Sequence, residues 1–134
     1  MKAYFTEMKN TRLEAMTMSF NELPEFAKEF KKYSKKYLSL SEDLDEFKKV
    51  ITNFPLGTGK HFNVLAAKDA VRIVKARFFC KYLKGSSMRI IYAYCEGSIA
   101  FIFIEIYFKG DKPNEDRGRI SDFLKDYEQN ANMR

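Results

Sequence analysis

The chain has 134 residues, a length suited to one domain, with 46% apolar and 31% charged side chains. That balance excludes a disordered polymer and fits a soluble globular protein. No apolar run approaches the roughly 18 residues that a membrane helix requires, and Lys2, Glu7 and Lys9 stand where a secretory signal would carry apolar residues, so a cytoplasmic protein is expected.

Met1 to Asn10 shows no period and reads, with the two residues after it, as an extension over 1–12. Leu13 to Ser19 predicts a first strand. Leu23, Phe26, Ala27, Phe30, Tyr33 and Tyr37 then recur at helical spacing, with Lys28, Lys31, Lys32, Lys35 and Lys36 on the outer faces. Ser39 and Glu42 predict a capping box for a second helix along Leu40, Leu44, Phe47, Val50, Ile51 and Phe54, ended by Pro55 and Gly57. The short connection predicts an antiparallel helical hairpin.

Residues 55–69 read as a loop. Ala70 to Tyr82, Met88 to Cys95 and Ser98 to Phe108 are rich in Ile, Val, Phe and Tyr, and predict three strands of an antiparallel meander. Gly85-Ser86-Ser87 and Glu96-Gly97 mark the turns. In the last strand the even positions Ala100, Ile102, Ile104, Ile106 and Phe108 predict a core face, matched in the middle strand by Ile90, Tyr92 and Tyr94. That pairing requires a three-residue loop. After Pro113, Glu115 to Tyr127 predicts a last helix with Ile120, Phe123, Leu124 and Tyr127 inward. The expectation is an α+β fold: an N-terminal strand and helical hairpin packed on an antiparallel meander sheet, with a C-terminal helix, in a single domain over 1–134.

The net charge of +6 is carried by one stretch. Lys68 to Arg89 holds Lys68, Arg72, Lys75, Arg77, Lys81, Lys84 and Arg89 against the single acid Asp69, and the remainder of the chain is neutral. Cations concentrated on a sheet segment predict a local anion site, and a nucleic-acid backbone is the natural ligand. Lys75, Arg77 and Lys81 share one strand parity, and Arg89, Tyr107 and Lys109 join them if the three strands lie side by side. Such a set suits phosphodiester chemistry. Guanidiniums hold phosphate oxygens and stabilise a pentacoordinate transition state. A lysine crowded by other cations loses its proton more easily and can act as base, with Lys75 and Lys81 the candidates. Tyr107 can stack on a base or pass a proton. Arg72, Lys84 and Lys68 extend the basic surface as RNA contacts. The same surface also fits an acidic protein partner with no chemistry at all.

Other motifs carry less. Gly57-Thr58-Gly59-Lys60 lacks the earlier glycine and the hydroxyl residue of a phosphate loop, since Phe54 and His61 occupy those places. His61 is the one histidine, so a histidine metal site or triad has little to build on. Cys80 and Cys95 make no metal spacing and read as reduced thiols in a sheet.

In order along the chain, Phe26-x-x-x-Phe30-Lys31-Lys32-x-x-Lys35-Lys36-Tyr37, Ile73-Val74-Lys75-Ala76-Arg77, Ser87-Met88-Arg89-Ile90-Ile91-Tyr92 and Ile106-Tyr107-Phe108-Lys109 resemble the RelE/ParE toxin superfamily, closest to its RelE- and HigB-like mRNA interferases. The resemblance covers about 13–127. It implies the toxin of a type II toxin–antitoxin system, acting as a ribosome-associated, metal-independent mRNA endoribonuclease through 2′-hydroxyl attack, without a cofactor. It assigns Lys75 and Arg77 to the scissile phosphate, Arg89 to the developing charge and Lys109 to a supporting role. It also implies a cognate antitoxin with an acidic amphipathic segment, held in a hetero-oligomer, and mRNA on the ribosome as substrate. The alternative is a RelE/ParE-fold binding protein without nuclease activity, such as a gyrase inhibitor or an inactive toxin. Two departures from the family pattern stand out: Pro113, Asn114 and Glu115 replace a tyrosine found in RelE past the last basic position, and the histidine that some relatives carry near the C-terminus is missing.

Overall fold

The computed structural model describes residues 19–132, with side chains placed as far as residue 128. Strand β1 (Ser19–Glu22) leads into helices α1 (Pro24–Lys36) and α2 (Leu40–Asn53). A short turn of 3₁₀ helix at Gly59–His61 precedes β2 (Phe62–Lys68), β3 (Val71–Cys80), β4 (Gly85–Cys95) and β5 (Ala100–Phe108), and α3 (Arg117–Asn132) ends the fold. The sheet order is β1-β5-β4-β3-β2, with β1 parallel to β5 and every other pair antiparallel.

Pro24 opens α1, where its missing N–H is no loss, and Glu25 at the start with Lys35 and Lys36 at the end suit the helix dipole. Its stripe buries Phe26 and Tyr33 on the sheet. The Tyr33 hydroxyl donates to Asp111 at 2.9 Å and accepts the Phe108 N–H, and burial pushes its pKa up to about 12. In α2 the buried positions are Leu40, Asp43, Leu44, Phe47 and Ile51. The expected capping box does not form. Ser39 Oγ instead donates to Asp43 Oδ2 at 2.7 Å and accepts the Tyr82 N–H at 2.9 Å, while Asp43 Oδ2 accepts the Lys81 N–H. The start of α2 thereby clamps the β3–β4 turn rather than its own first turn.

Both faces of the sheet are covered. Val74, Ala76, Phe78, Ile90, Tyr92, Phe101, Phe103 and Ile106 pack with the helical hairpin. Val71, Ile73, Ile91, Ala93, Cys95 and Ile104 pack with Ile120 and Phe123 of α3. The predicted even-numbered core face of β5 is therefore wrong for part of the strand. The β4–β5 ladder pairs Ile91 with Glu105 but Tyr92 with Phe103, so a bulge at Ile104 reverses the parity. Phe101 and Phe103 face the hairpin before the bulge, and Ile106 faces it afterwards. The turn from β4 to β5 has four residues, 96–99, not three.

Other boundaries also move. Of the strand expected at 13–19, residues 13–18 lie outside the described residues, and the strand that is described runs over Ser19–Glu22. The expected loop at 55–69 contains β2, an edge strand on β3. Gly85 begins β4, and the turn before it is 81–84, with Lys84 at φ +55°. The margin of β5 beyond β1 is sealed by side chains. Arg119 donates to the Ile104 carbonyl at 2.8 Å and forms a two-pronged pair with Glu29 at 2.9 and 2.7 Å, and Glu29 accepts the Ile106 N–H.

Candidate nucleic-acid interface

On β3, Val71 and Ile73 lie beneath α3, and the same face continues into Lys75 and Arg77 as the strand emerges past the start of that helix. The register sets Arg77 opposite Arg89 and Arg89 opposite Tyr107, one row across three strands, with Lys75, Ile91 and Glu105 forming the row behind. Directly opposed positions on neighbouring strands lie roughly 4.5–5.5 Å apart at Cα. The two arginines are thus direct neighbours across the ladder. Arg89 Nη1 donates to the carbonyls of Ser86 at 2.7 Å and Met88 at 3.0 Å. Burial first, and the charge of Arg77 second, lower its pKa. Like charges facing each other across a ladder are unfavourable unless an anion joins them. Among the described residues no carboxylate pairs with Arg77, Arg89, Lys84 or Lys109.

Acids from elsewhere hold the other four cations of the basic stretch. Lys68 meets Glu128 at 3.0 Å, Arg72 meets Glu96 at 3.9 Å, Lys75 meets Glu115 at 2.8 Å and Lys81 meets Glu42 at 3.8 Å. The +6 of the linear sequence contracts to Arg77, Lys84 and Arg89. Lys109 stands at the same end of the sheet, its N–H on the Ser87 carbonyl at 2.9 Å. Lys81 does not share the face of Lys75 and Arg77, because the register shift between Phe78 and Cys80 breaks the parity and puts it in the turn beside α2. Arg72 lies opposite Tyr94 towards the far end of β3, and Lys68 ends β2 beside α3.

Lys75 does not have the character expected of a base. Burial pulls its pKa down, but the Glu115 carboxylate outweighs that and leaves it raised. Glu115, which precedes α3 instead of opening it, is itself buried, and its pKa is lowered because Lys75 and Arg117 outweigh its burial. Tyr107 is not placed to stack on a base. It is 2% exposed, Lys112 covers its ring at 5.2 Å, and its hydroxyl has no hydrogen-bond partner among the described residues. Burial raises its pKa, and the nearby Lys75 charge only partly opposes this. Beside it the fully buried Glu105 accepts the Asp116 N–H at 2.8 Å and pairs with Lys112. Glu105, Lys112 and Glu115 were not singled out from sequence. The lone signal for them was an acid interrupting an apolar strand at Glu105.

No protein-family model matches the sequence, and no curated protein matches it. Among solved structures the chain is similar to RelE in the archaeal RelE–RelB complex from Pyrococcus horikoshii OT3, with a TM-score of 0.54 and 14% identity over 72% of this chain and 99% of that one. The fold is RelE-like. On this RelE-like sheet the opposed arginines stand at the end of β3 and the start of β4, where the face leaves the cover of α3. Among the described residues no helix is long and apolar enough to cross a membrane.

Proposed function

We propose that this chain is the toxin of a type II toxin–antitoxin pair and cuts mRNA on the translating ribosome. The observation that carries this reading is the Arg77–Arg89 pair, two arginines opposed across the ladder, neither with a carboxylate partner among the described residues. A phosphodiester supplies the missing negative charge, and more of it develops as the 2′-hydroxyl, giving its proton to solvent water, attacks phosphorus and the P–O5′ bond breaks, the 5′-oxygen taking a proton from solvent as it leaves. The products are a 2′,3′-cyclic phosphate and a 5′-hydroxyl. The contribution of this chain is electrostatic: Arg77 and Arg89 hold the non-bridging oxygens, with Lys109 at the rim. Lys75, held charged by Glu115, adds field and does not take the proton. The solved RelE structure is of a complex with RelB, and an acidic antitoxin segment suits the same cations by charge.

Removing one preorganised donor to a transition-state oxyanion lowers rates roughly 100- to 1,000-fold. Arg89→Ala therefore abolishes growth arrest when the chain is expressed without antitoxin, and abolishes new 5′ ends in ribosome-bound mRNA. An equally toxic variant refutes the assignment. The second reading, a RelE-fold binding protein without nuclease activity, draws on the capture of Lys75 by Glu115 and the burial of Tyr107. Charting RNA ends in expressing cells separates them: cuts within translated codons support the nuclease, and arrest with intact mRNA supports the binding protein.

A further inference from the structure

Tyr107 lies in the arginine row but is buried beneath Lys112, so a ring that meets a base must come from elsewhere on that face. Phe79 is placed to do so. Ala76, Phe78 and Cys80 are all buried in the core under the helical hairpin. Successive side chains of a strand alternate between faces, so Arg77 and Phe79 project from the opposite face of β3. Both are exposed there, Phe79 by 57%. Two residues along a strand span roughly 6.5 Å, which sets the ring one step beyond the arginine row.

The ring is open because the elements that could cover it stop short. β2 pairs with β3 only as far as Phe62 opposite Ala76, so no strand flanks Phe79 on that side. α3 packs over Val71 and Ile73, at the other end of β3. Among the described residues no aromatic ring and no cation rests on Phe79. The other exposed aromatics lie elsewhere: Phe54 follows α2, and Tyr82 meets Tyr37 of the hairpin. A lone exposed apolar side chain is ordinary; its neighbours give this one a meaning. Arg77 and Arg89 stand before it and Lys84 in the turn beyond it, none paired with a carboxylate among the described residues. Cations that follow a phosphate chain, with an aromatic ring between them, hold single-stranded nucleic acid without reading its sequence.

We infer that Phe79 is a stacking platform for an unpaired base of the nucleotide adjoining the phosphate that Arg77 and Arg89 hold. A nucleotide joins charge and flat ring through one sugar, so it meets the arginines and the phenylalanine together. This inference rests on the RNA reading given above and adds a base-binding surface to it. The contact is with the π-face alone, which every base has, so the platform selects single strands without reading base identity.

The sequence has no tryptophan, so Phe79→Trp gives the full chain a single indole at the platform. The probes are a short 2′-O-methyl oligoadenylate, which cannot be cut, and an abasic oligomer with the same number of phosphates. At saturation the oligoadenylate quenches the indole emission of Phe79→Trp and the abasic oligomer does not. By fluorescence anisotropy, Phe79→Ala weakens oligoadenylate binding on the order of tenfold and leaves the affinity for the abasic oligomer in place. An oligoadenylate that binds without quenching, or that binds Phe79→Ala as tightly as the native chain, overturns the inference and leaves the phosphate grip standing; a ring reserved for a protein partner gives this result. If the native chain binds neither probe, the RNA reading falls and the platform falls with it.

Discussion

Glu115→Gln isolates the ion pair that decides what Lys75 can do. In the native chain the two groups meet at 2.8 Å, with 22% of the Lys75 side chain and 3% of the Glu115 side chain exposed. Breaking a fully buried pair by removing one partner costs about 3–5 kcal/mol, and an exposed pair is worth at most ~1 kcal/mol. Lys75 keeps some contact with water, so the variant loses about 2 kcal/mol, between those limits. The pH dependence has a fixed sign. Glu115 is held below its ordinary value of 4.5, so its contribution is present above that value and disappears as pH falls through the lowered folded value. Lys75 is held above its ordinary value of 10.5, so its contribution is present below that value and disappears as pH rises through the raised one. Urea unfolding of both proteins should show the full gap around neutral pH, closing as the solution is made acid. A gap under about 0.5 kcal/mol at pH 7, within ordinary surface-substitution noise, or one unchanged in acid, refutes the assignment of Lys75 as a captive cation. The same variant leaves an unopposed positive charge near the arginine pair, so single-stranded RNA binds it more tightly at low salt.

Arg77→Ala relieves the guanidinium facing Arg89, so it leaves stability unchanged or raises it by up to ~1 kcal/mol at low salt while RNA binding falls; a thermal melt paired with a binding titration checks both halves. Gly57→Ala destabilises by about 2 kcal/mol or more, because φ is +83° there and an added Cβ would sit 1.9 Å from the Phe62 ring; a loss below 0.5 kcal/mol, the ordinary surface range, would mean that the segment after α2 relaxes freely. Arg119→Ala strips the Ile104 carbonyl and Glu29 of their shared partner and costs about 2–4 kcal/mol in urea unfolding, with faster amide exchange along β5.

The helical hairpin was legible because Phe26, Tyr33, Leu40, Leu44, Phe47 and Ile51 keep one period through each helix, and the last helix for the same reason at Ile120 and Phe123. The sheet was harder. Ile99 to Ile104 is an unbroken apolar run, so a bulge inside it leaves no mark, and alternation read through it assigns half the residues to the wrong face. β2 was missed because Phe62, Val64, Leu65, Ala66 and Ala67 do not alternate, and an edge strand needs no such pattern. At the site, sequence parity put Lys75 and Arg77 on one face, to be joined by Arg89 if the strands lay side by side, and the ladder sets Arg77 opposite Arg89. It also placed Lys81 with them, and the register shift at Phe78 undid that. The partners of Lys68, Arg72 and Lys75 come from 24 to 60 positions away. Charge counted along the chain cannot see such pairs, and this is why a broad basic ridge became two arginines and a rim.

The claim that Arg77 and Arg89 grip a phosphate is tested most directly by the salt dependence of single-stranded RNA binding, compared between the native chain and an Arg77→Ala, Arg89→Ala double variant. Each phosphate contact contributes about 0.7 to the slope of log affinity against log salt for a single strand. Both arginines hold one phosphate, so the account predicts a slope smaller by about 0.7 in the double variant, with most of the affinity gone at low salt. An unchanged slope would mean that the backbone is held elsewhere, and would contradict it.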